Sequence, residues 1–224
     1  MPPPPPPWSL RRWQAPAFTL LELLVVIAII GMLAALTVPA VPSILGARGV
    51  AKAVEDTSGI LELARTEAIA RRTYVYVAFL NTTNVFGNSE LRIGAVSSLD
   101  GSTNTDSSNL RAITKALKID KTRMAESAGE LPANVSGLAT NARFLTTTVG
   151  MAFDVGKEKF PASAIGIIFS PNGEALSAAG SLNFIPQVDI GLVPTRGTAP
   201  QTSGNDGAVV RYLGGSGNIQ IFRP

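Results

Sequence analysis

A run of 21 residues, 18–38, reads FTLLELLVVIAIIGMLAALTV and holds one charged side chain, Glu22. The next charge is Arg48. As an α-helix this run rises roughly 32 Å, about the hydrocarbon thickness of a bilayer. It is apolar on every side, so one small domain cannot cover it, and the chain has to divide into a membrane or assembly segment and something built differently. Arg11 and Arg12 precede the run, and Arg48 follows it together with Glu55 and Asp56. The positive-inside tendency then keeps the N-terminus in the cytoplasm and exports everything after residue 40.

Three readings of this front segment compete. A secretory signal could be cut after Ala40, behind the small residues of Val38-Pro39-Ala40. A plain single-pass anchor is the second. The third explains the odd features together: a basic leader that ends in the small residue Ala17, then Phe18-Thr19-Leu20-Leu21-Glu22 opening directly into an apolar helix. This arrangement resembles the prepilin signal of type IV pilins and of type II secretion pseudopilins. The resemblance implies a peptidase cut between Ala17 and Phe18, a methylated Phe18 amine, and assembly of the apolar helix into a filament. Ala17 stands where that family usually carries Gly. The proline run at residues 2–7 is a stiff polyproline stretch.

Glu22 admits two roles. Thr19-x-x-Glu22 ahead of an apolar run is a capping box for the helix start. A carboxylate within an apolar span also costs up to about 2.5–3.5 kcal/mol on insertion scales, so a partner is expected. The resemblance supplies one, the freed Phe18 amine of a neighbouring subunit. Such a pair at 4 Å is worth roughly 4 kcal/mol at an effective dielectric of 20, before desolvation. Gly31 and Pro39 bracket the back half of the run. Pro39 removes a backbone donor and predicts a break between Thr37 and Ser43, either a simple helix end or, by the resemblance, the stretch that loosens in filaments.

Beyond the run, residues 43–72 become amphipathic. Val50, Val54, Thr57, Leu61, Ala64 and Ala68 recur at spacings of three and four, giving one stripe that predicts packing on a following sheet. Glu62–Arg65 and Glu67–Arg71 are favourable pairs on the other side. Residues 73–224 hold 17 of the 21 glycines and short β-rich runs. Strands are predicted at 73–80, 91–97, 165–170, 208–213 and 218–223, and more weakly near 113–119, 144–149 and 182–185. Ser170-Pro171-Asn172-Gly173 and Gly214-Gly215-Ser216-Gly217 read as turns. The expected fold is α+β and pilin-like: leader 1–17, transmembrane and assembly helix 18–42, amphipathic helix 43–72, and an exported antiparallel β domain 73–224. FSPNGEA at 169–175 and GGSGNIQIFRP at 214–224 further resemble GspH/FimT-like minor pseudopilins and the pilin-like cassette protein D group of Verrucomicrobia-type bacteria.

Composition bears on chemistry. With no Cys and no His, thiolate metal sites, disulfides, Cys nucleophiles, imidazole triads and the three-His zinc site are excluded. No carboxylate pair is marked out by motif, so no catalytic residue is named and an enzyme is not expected. Of 19 Lys and Arg, removing Arg11 and Arg12 leaves 17 against 16 Asp and Glu, too even for a protein that binds nucleic acid along its whole surface. One local stripe, Arg111, Lys115, Lys118, Lys121 and Arg123, reads either as a solvated face or as a DNA contact of the kind some FimT-like minor pilins use in uptake. Asp100, Ser102, Asn104 and Asp106 alternate as in a calcium loop, but Thr105 and Arg111 stand where the EF-hand wants Gly and Glu. A polar loop is the simpler reading; the resemblance keeps calcium open, and no other cofactor is expected.

The expected role is therefore a structural subunit of a type IV pilus or a type II secretion pseudopilus. Its partners are a prepilin peptidase, other pilin subunits and membrane lipid through residues 18–38. Its location is the inner membrane, single-pass, with the C-terminal domain periplasmic or extracellular. The rivals are a DNA-binding minor pilin for uptake and a membrane-tethered exported binding domain.

Overall fold

The structure, a computed structural model, describes residues 1, 18–37, 41–138, 142–177, 182–202 and 206–223, with 35–37, 41–48 and 136–138 described by backbone alone. The chain divides into two units, Met1–Val41 and Pro42–Pro224.

The first unit is built on helix α1, Leu20–Thr37. Straight-chain and branched aliphatics continue it without interruption, and Thr19 starts it. The Thr19 hydroxyl accepts the Glu22 N–H at 3.1 Å, and the Thr19 carbonyl accepts the Leu23 N–H at 3.1 Å. Helix α2 runs Val41–Arg71. The predicted break falls on Pro39 and its neighbours, and residues 38–40 lie outside the described residues.

In the second unit, all six predicted stripe residues of α2 are buried: Val50, Val54, Thr57, Leu61, Ala64 and Ala68. Glu67 and Arg71 pair as expected, and Lys52 pairs with Asp56 one turn into the same face. The Glu62–Arg65 pair is replaced. Arg65 Nε instead donates to the Gly173 carbonyl at 3.1 Å, because the two predicted turns, 170–173 and 214–217, converge on this side chain. At Gly217, which has φ +75°, a Cβ would lie 2.3 Å from the Arg65 guanidinium. The helix ends in a Schellman motif: Thr73 N–H reaches the Ala68 carbonyl at 3.0 Å and Arg72 N–H the Ile69 carbonyl at 3.3 Å. Arg72 holds the left-handed position, φ 53°, where glycine is usual.

The strands in chain order are β1 Val75–Thr83, β2 Ser89–Ser98, β3 Leu110–Ala112, β4 Leu117–Asp120, β5 Thr122–Ala125, β6 Phe153–Val155, β7 Glu158–Phe160, β8 Ile165–Phe169, β9 Ala175–Ser177, β10 Asn183–Phe184, β11 Gln187–Arg196, β12 Ala199–Pro200, β13 Ala208–Leu213 and β14 Ile219–Phe222; a short helix α3, Ala133–Leu138, precedes β6. They form one sheet ordered β10-β9-β8-β1-β2-β3, with β4 also on β2, a second ordered β12-β11-β13-β14, with β5 also on β11, and a two-stranded β6-β7 hairpin. All pairings between strands are antiparallel. This is the expected α+β, pilin-like arrangement of a long helix followed by antiparallel sheets.

Alternation along each strand decides what it covers. Val75, Val77 and Phe79 of β1, Leu91 and Ile93 of β2, and Ile190 and Leu192 of β11 join the α2 stripe in one core. The opposite residues of the first sheet, among them Tyr76 and Ile168, are covered by Phe153 and Phe160 of the β6–β7 hairpin. Phe160 packs so closely that a Cβ on Gly94 would lie 2.4 Å from its ring. The outer side of the second sheet, Val193 and Val209, is covered by Leu131 and Val135. Tyr212, in the main core, sets its ring edge-on to Phe169 at 5.5 Å, and burial pushes its hydroxyl up to about 12.

The five main strand expectations correspond to β1, β2, β8, β13 and β14. Residues 144–149 make only isolated bridges, Phe144 to Asp189 and Thr148 to Ile165. The 113–119 expectation is displaced, because β3 ends at Ala112 and β4 begins at Leu117.

Candidate functional site

The strongest site expectations lie at the N-terminus. Ala17 and Pro39 lie outside the described residues. Phe18 is 75% exposed, and the apolar side chains of α1 are exposed all round, from Leu20 at 89% to Val26 at 42%. Among the described residues, 18–34 contribute no buried side chain. A helix apolar on all faces is stable only against lipid or other protein. Counting described residues, no helix is long and apolar enough to cross a membrane by itself.

Thr19 and Glu22 divide the capping role unequally. The hydroxyl of Thr19 makes the bond at the helix start. The Glu22 carboxylate is exposed, and it has no ion-pair partner among the described residues. It remains available to a group outside the chain. Gly31 has open space where a Cβ would stand, so no described residue of this unit demands a glycine there.

The calcium-like loop is closed on itself. Asp100 Oδ1 accepts the Ser102 hydroxyl at 2.7 Å, the Ser102 N–H at 2.9 Å, the Asn109 amide at 2.8 Å and the Ser98 hydroxyl at 2.9 Å. These bonds, with Ser102 first, hold the Asp100 carboxyl well below the usual carboxylate range. Ser102 Oγ accepts the Asn104 N–H and Asn104 Oδ1 the Asp106 N–H. Three of the four candidate ligand oxygens thus serve the loop's own donors. Among the described residues no three acidic side chains gather as a metal site would need.

The basic stripe is spread over β3, β4 and β5, in two different sheets. Arg111 pairs with Glu67 at 3.3 Å, Lys118 with Glu158 at 2.5 Å, and Arg123 with Glu126 at 3.3 Å and Glu130 at 3.6 Å. The bond from Lys118, reinforced by the charges of Arg92 and Lys118, holds the Glu158 carboxyl below its ordinary value. Lys115 and Lys121 are exposed. Carboxylates therefore already answer three of the five cations.

One polar constellation escaped the sequence reading. Asp189 is fully buried in β11 opposite Arg211 of β13, and Arg211 Nε donates to Asp189 Oδ1 at 2.7 Å. The signal available was a lone acid and a lone base inside two apolar strand runs.

With this geometry in view, the comparisons with known proteins are informative at one place. The prokaryotic N-terminal methylation motif matches residues 16–38. No curated protein and no solved structure matches the chain. The matched segment contains Phe18, Thr19, Glu22 and Gly31 and ends at the last residue of the apolar run. The chain thus carries a type IV pilin-type prepilin signal over residues 16–38.

Proposed function

We propose that this protein is a structural subunit of a type IV pilus or a type II secretion pseudopilus rather than an enzyme. The observation that carries the reading is the pairing of the methylation motif with α1, an apolar helix whose described side chains are exposed on every face. The precursor waits in the inner membrane as a single-pass protein, with its leader in the cytoplasm and residues 43–224 in the periplasm. Cleavage between Ala17 and Phe18 frees the Phe18 amine, which is methylated and pairs with Glu22 of the next subunit as the helices pack into a filament. Because this pair needs a free amine, processing licenses assembly. The FSPNGEA and GGSGNIQIFRP segments favour a minor subunit of the GspH/FimT or cassette protein D kind.

The mass and N-terminal residue of protein recovered from native membranes test this. The expected chain starts at a methylated Phe18 and has 207 residues, 224 less 17. A chain starting at Val41, or intact precursor predominating beside an active peptidase, refutes the reading. Since the peptidase site is shaped for a small residue, Ala17→Gly raises the ratio of mature protein to precursor.

A further inference from the structure

Two apolar side chains of the second unit are exposed as fully as those of α1: Val85 at 93% and Phe86 at 83%. They form the tip of the β1–β2 hairpin, and the tip is stiff. Asn84 Oδ1 accepts the N–H groups of Phe86 and Asn88, each at 3.0 Å. The Asn84 N–H reaches the Asn88 carbonyl at 2.8 Å, and Gly87, at φ +76°, closes the turn. A loop tip with this many internal bonds does not fold its apolar residues away. It presents them.

The surroundings say to what. Ser89 N–H bonds the Gly197 carbonyl at 2.8 Å, and Lys121 N–H bonds the Ser89 carbonyl at 2.8 Å. Exposed Lys121 and Arg196 therefore flank the root of the hairpin, with Asp120 bound to the Asn84 amide at 3.1 Å. Lys121 holds a left-handed backbone, φ 54°. This corner is also where α2 enters the sheets. A Cβ on Gly49 would lie 2.8 Å from Thr122 Oγ1 and 3.4 Å from the Asp120 carbonyl. In sequence, residues 39–48 separate Gly49 from the apolar run.

We propose that the β1–β2 tip is a second membrane contact. Val85 and Phe86 enter the interfacial layer of the bilayer that holds residues 18–38, while Lys121 and Arg196 meet anionic headgroups. The contact keeps the exported unit on the membrane until the subunit is drawn into a filament. It rests on the anchoring reading above.

The test uses the full chain in nanodiscs of phosphatidylethanolamine with or without phosphatidylglycerol. Both native tryptophans, Trp8 and Trp13, lie in the leader and are replaced by Phe, so a single Trp reports each site. Phe86→Trp is compared with Ile30→Trp in the run and Leu99→Trp, an exposed position beside the far end of α2. With brominated phosphatidylglycerol, Trp at 86 is expected to be blue-shifted and quenched about twofold, and Trp at 99 unchanged. Lys121→Gly and Arg196→Gln each lower the docked-to-free ratio about fivefold, and only in anionic discs. Equal, water-like emission at 86 and 99 with Trp at 30 quenched overturns the docking and leaves the anchor standing. An unquenched Trp at 30 overturns the anchor and the docking with it. A shift at 86 that grows with chains per disc and ignores lipid charge assigns the tip to a second copy and overturns the proposal.

Discussion

Breaking the ion pair between Asp189 and Arg211 from one side should strongly destabilise the second unit. Asp189 is 0% exposed. Its Oδ1 accepts Arg211 Nε at 2.7 Å; its Oδ2 accepts the Arg143 N–H at 2.6 Å, the Gln187 amide at 3.0 Å and Arg211 Nη2 at 3.4 Å. The Arg211 guanidinium lies over the Phe222 ring at 4.9 Å. Asp189→Leu removes the counter-ion of a largely buried guanidinium and the acceptor of a backbone N–H at once. Breaking such a pair costs about 3–5 kcal/mol. A hydrogen bond to a charged group, worth about 1.5–3 kcal/mol, plus one stranded N–H at about 1–3 kcal/mol, reaches the same range. Against a total stability of about 5–15 kcal/mol, this amounts to a fall in Tm of roughly 10 °C or more for a unit of this size. Removing both charges together, Asp189→Leu with Arg211→Leu, should recover most of the loss, because no isolated charge remains. Urea unfolding of residues 47–224, followed by circular dichroism, reads both effects. A single-variant loss below about 1 kcal/mol, or strict additivity of the two replacements, refutes the reasoning.

Glu22→Gln should keep the helix start, since the Thr19 hydroxyl makes that bond, yet fail to enter filaments or co-purify with partner subunits; assembly equal to the parent would reduce Glu22 to a cap. Arg72→Gly should stabilise the second unit by about 1 kcal/mol, because Arg72 occupies a left-handed position, φ 53°, that glycine adopts freely. A loss of stability in the same urea assay would show that the Arg72 side chain supports the fold.

Much of the architecture was legible because it rests on one-dimensional pattern. The α2 stripe could be read because each of its six residues must face the same way for the helix to be covered, and spacing alone reports that. The prepilin-type signal was legible for a different reason: it is a linear motif, so nothing about it waits on folding. The Asp100 loop and the basic stripe could not be resolved between two readings for the same reason. Their residues were counted along the chain, but their partners, Asn109 across the loop, Glu67 on α2 and Glu158 on β7, are supplied by the fold.

β11 is the instructive omission. It is as long as any strand in the chain, ten residues, yet QVDIGLVPTR contains a proline, a glycine and an acid, each of which argues against a central strand. Pro194 is tolerated because the β13 ladder ends at Leu192 and Ala208, so beyond that point β11 has only β5 and then β12 beside it. Gly191 is tolerated because its missing Cβ makes room for the Ala125 methyl and the Phe144 ring, which would lie 2.9 and 3.0 Å from it. Asp189 is tolerated because its register partner is Arg211. Each exception is resolved by a residue distant in sequence, and two of the three resolve on the same outer side of the second sheet. That side can be read from sequence only by pairing its defects: an acid in one apolar run is a strand-breaker by itself, but with a base in a second run it becomes the register mark by which the two strands are aligned.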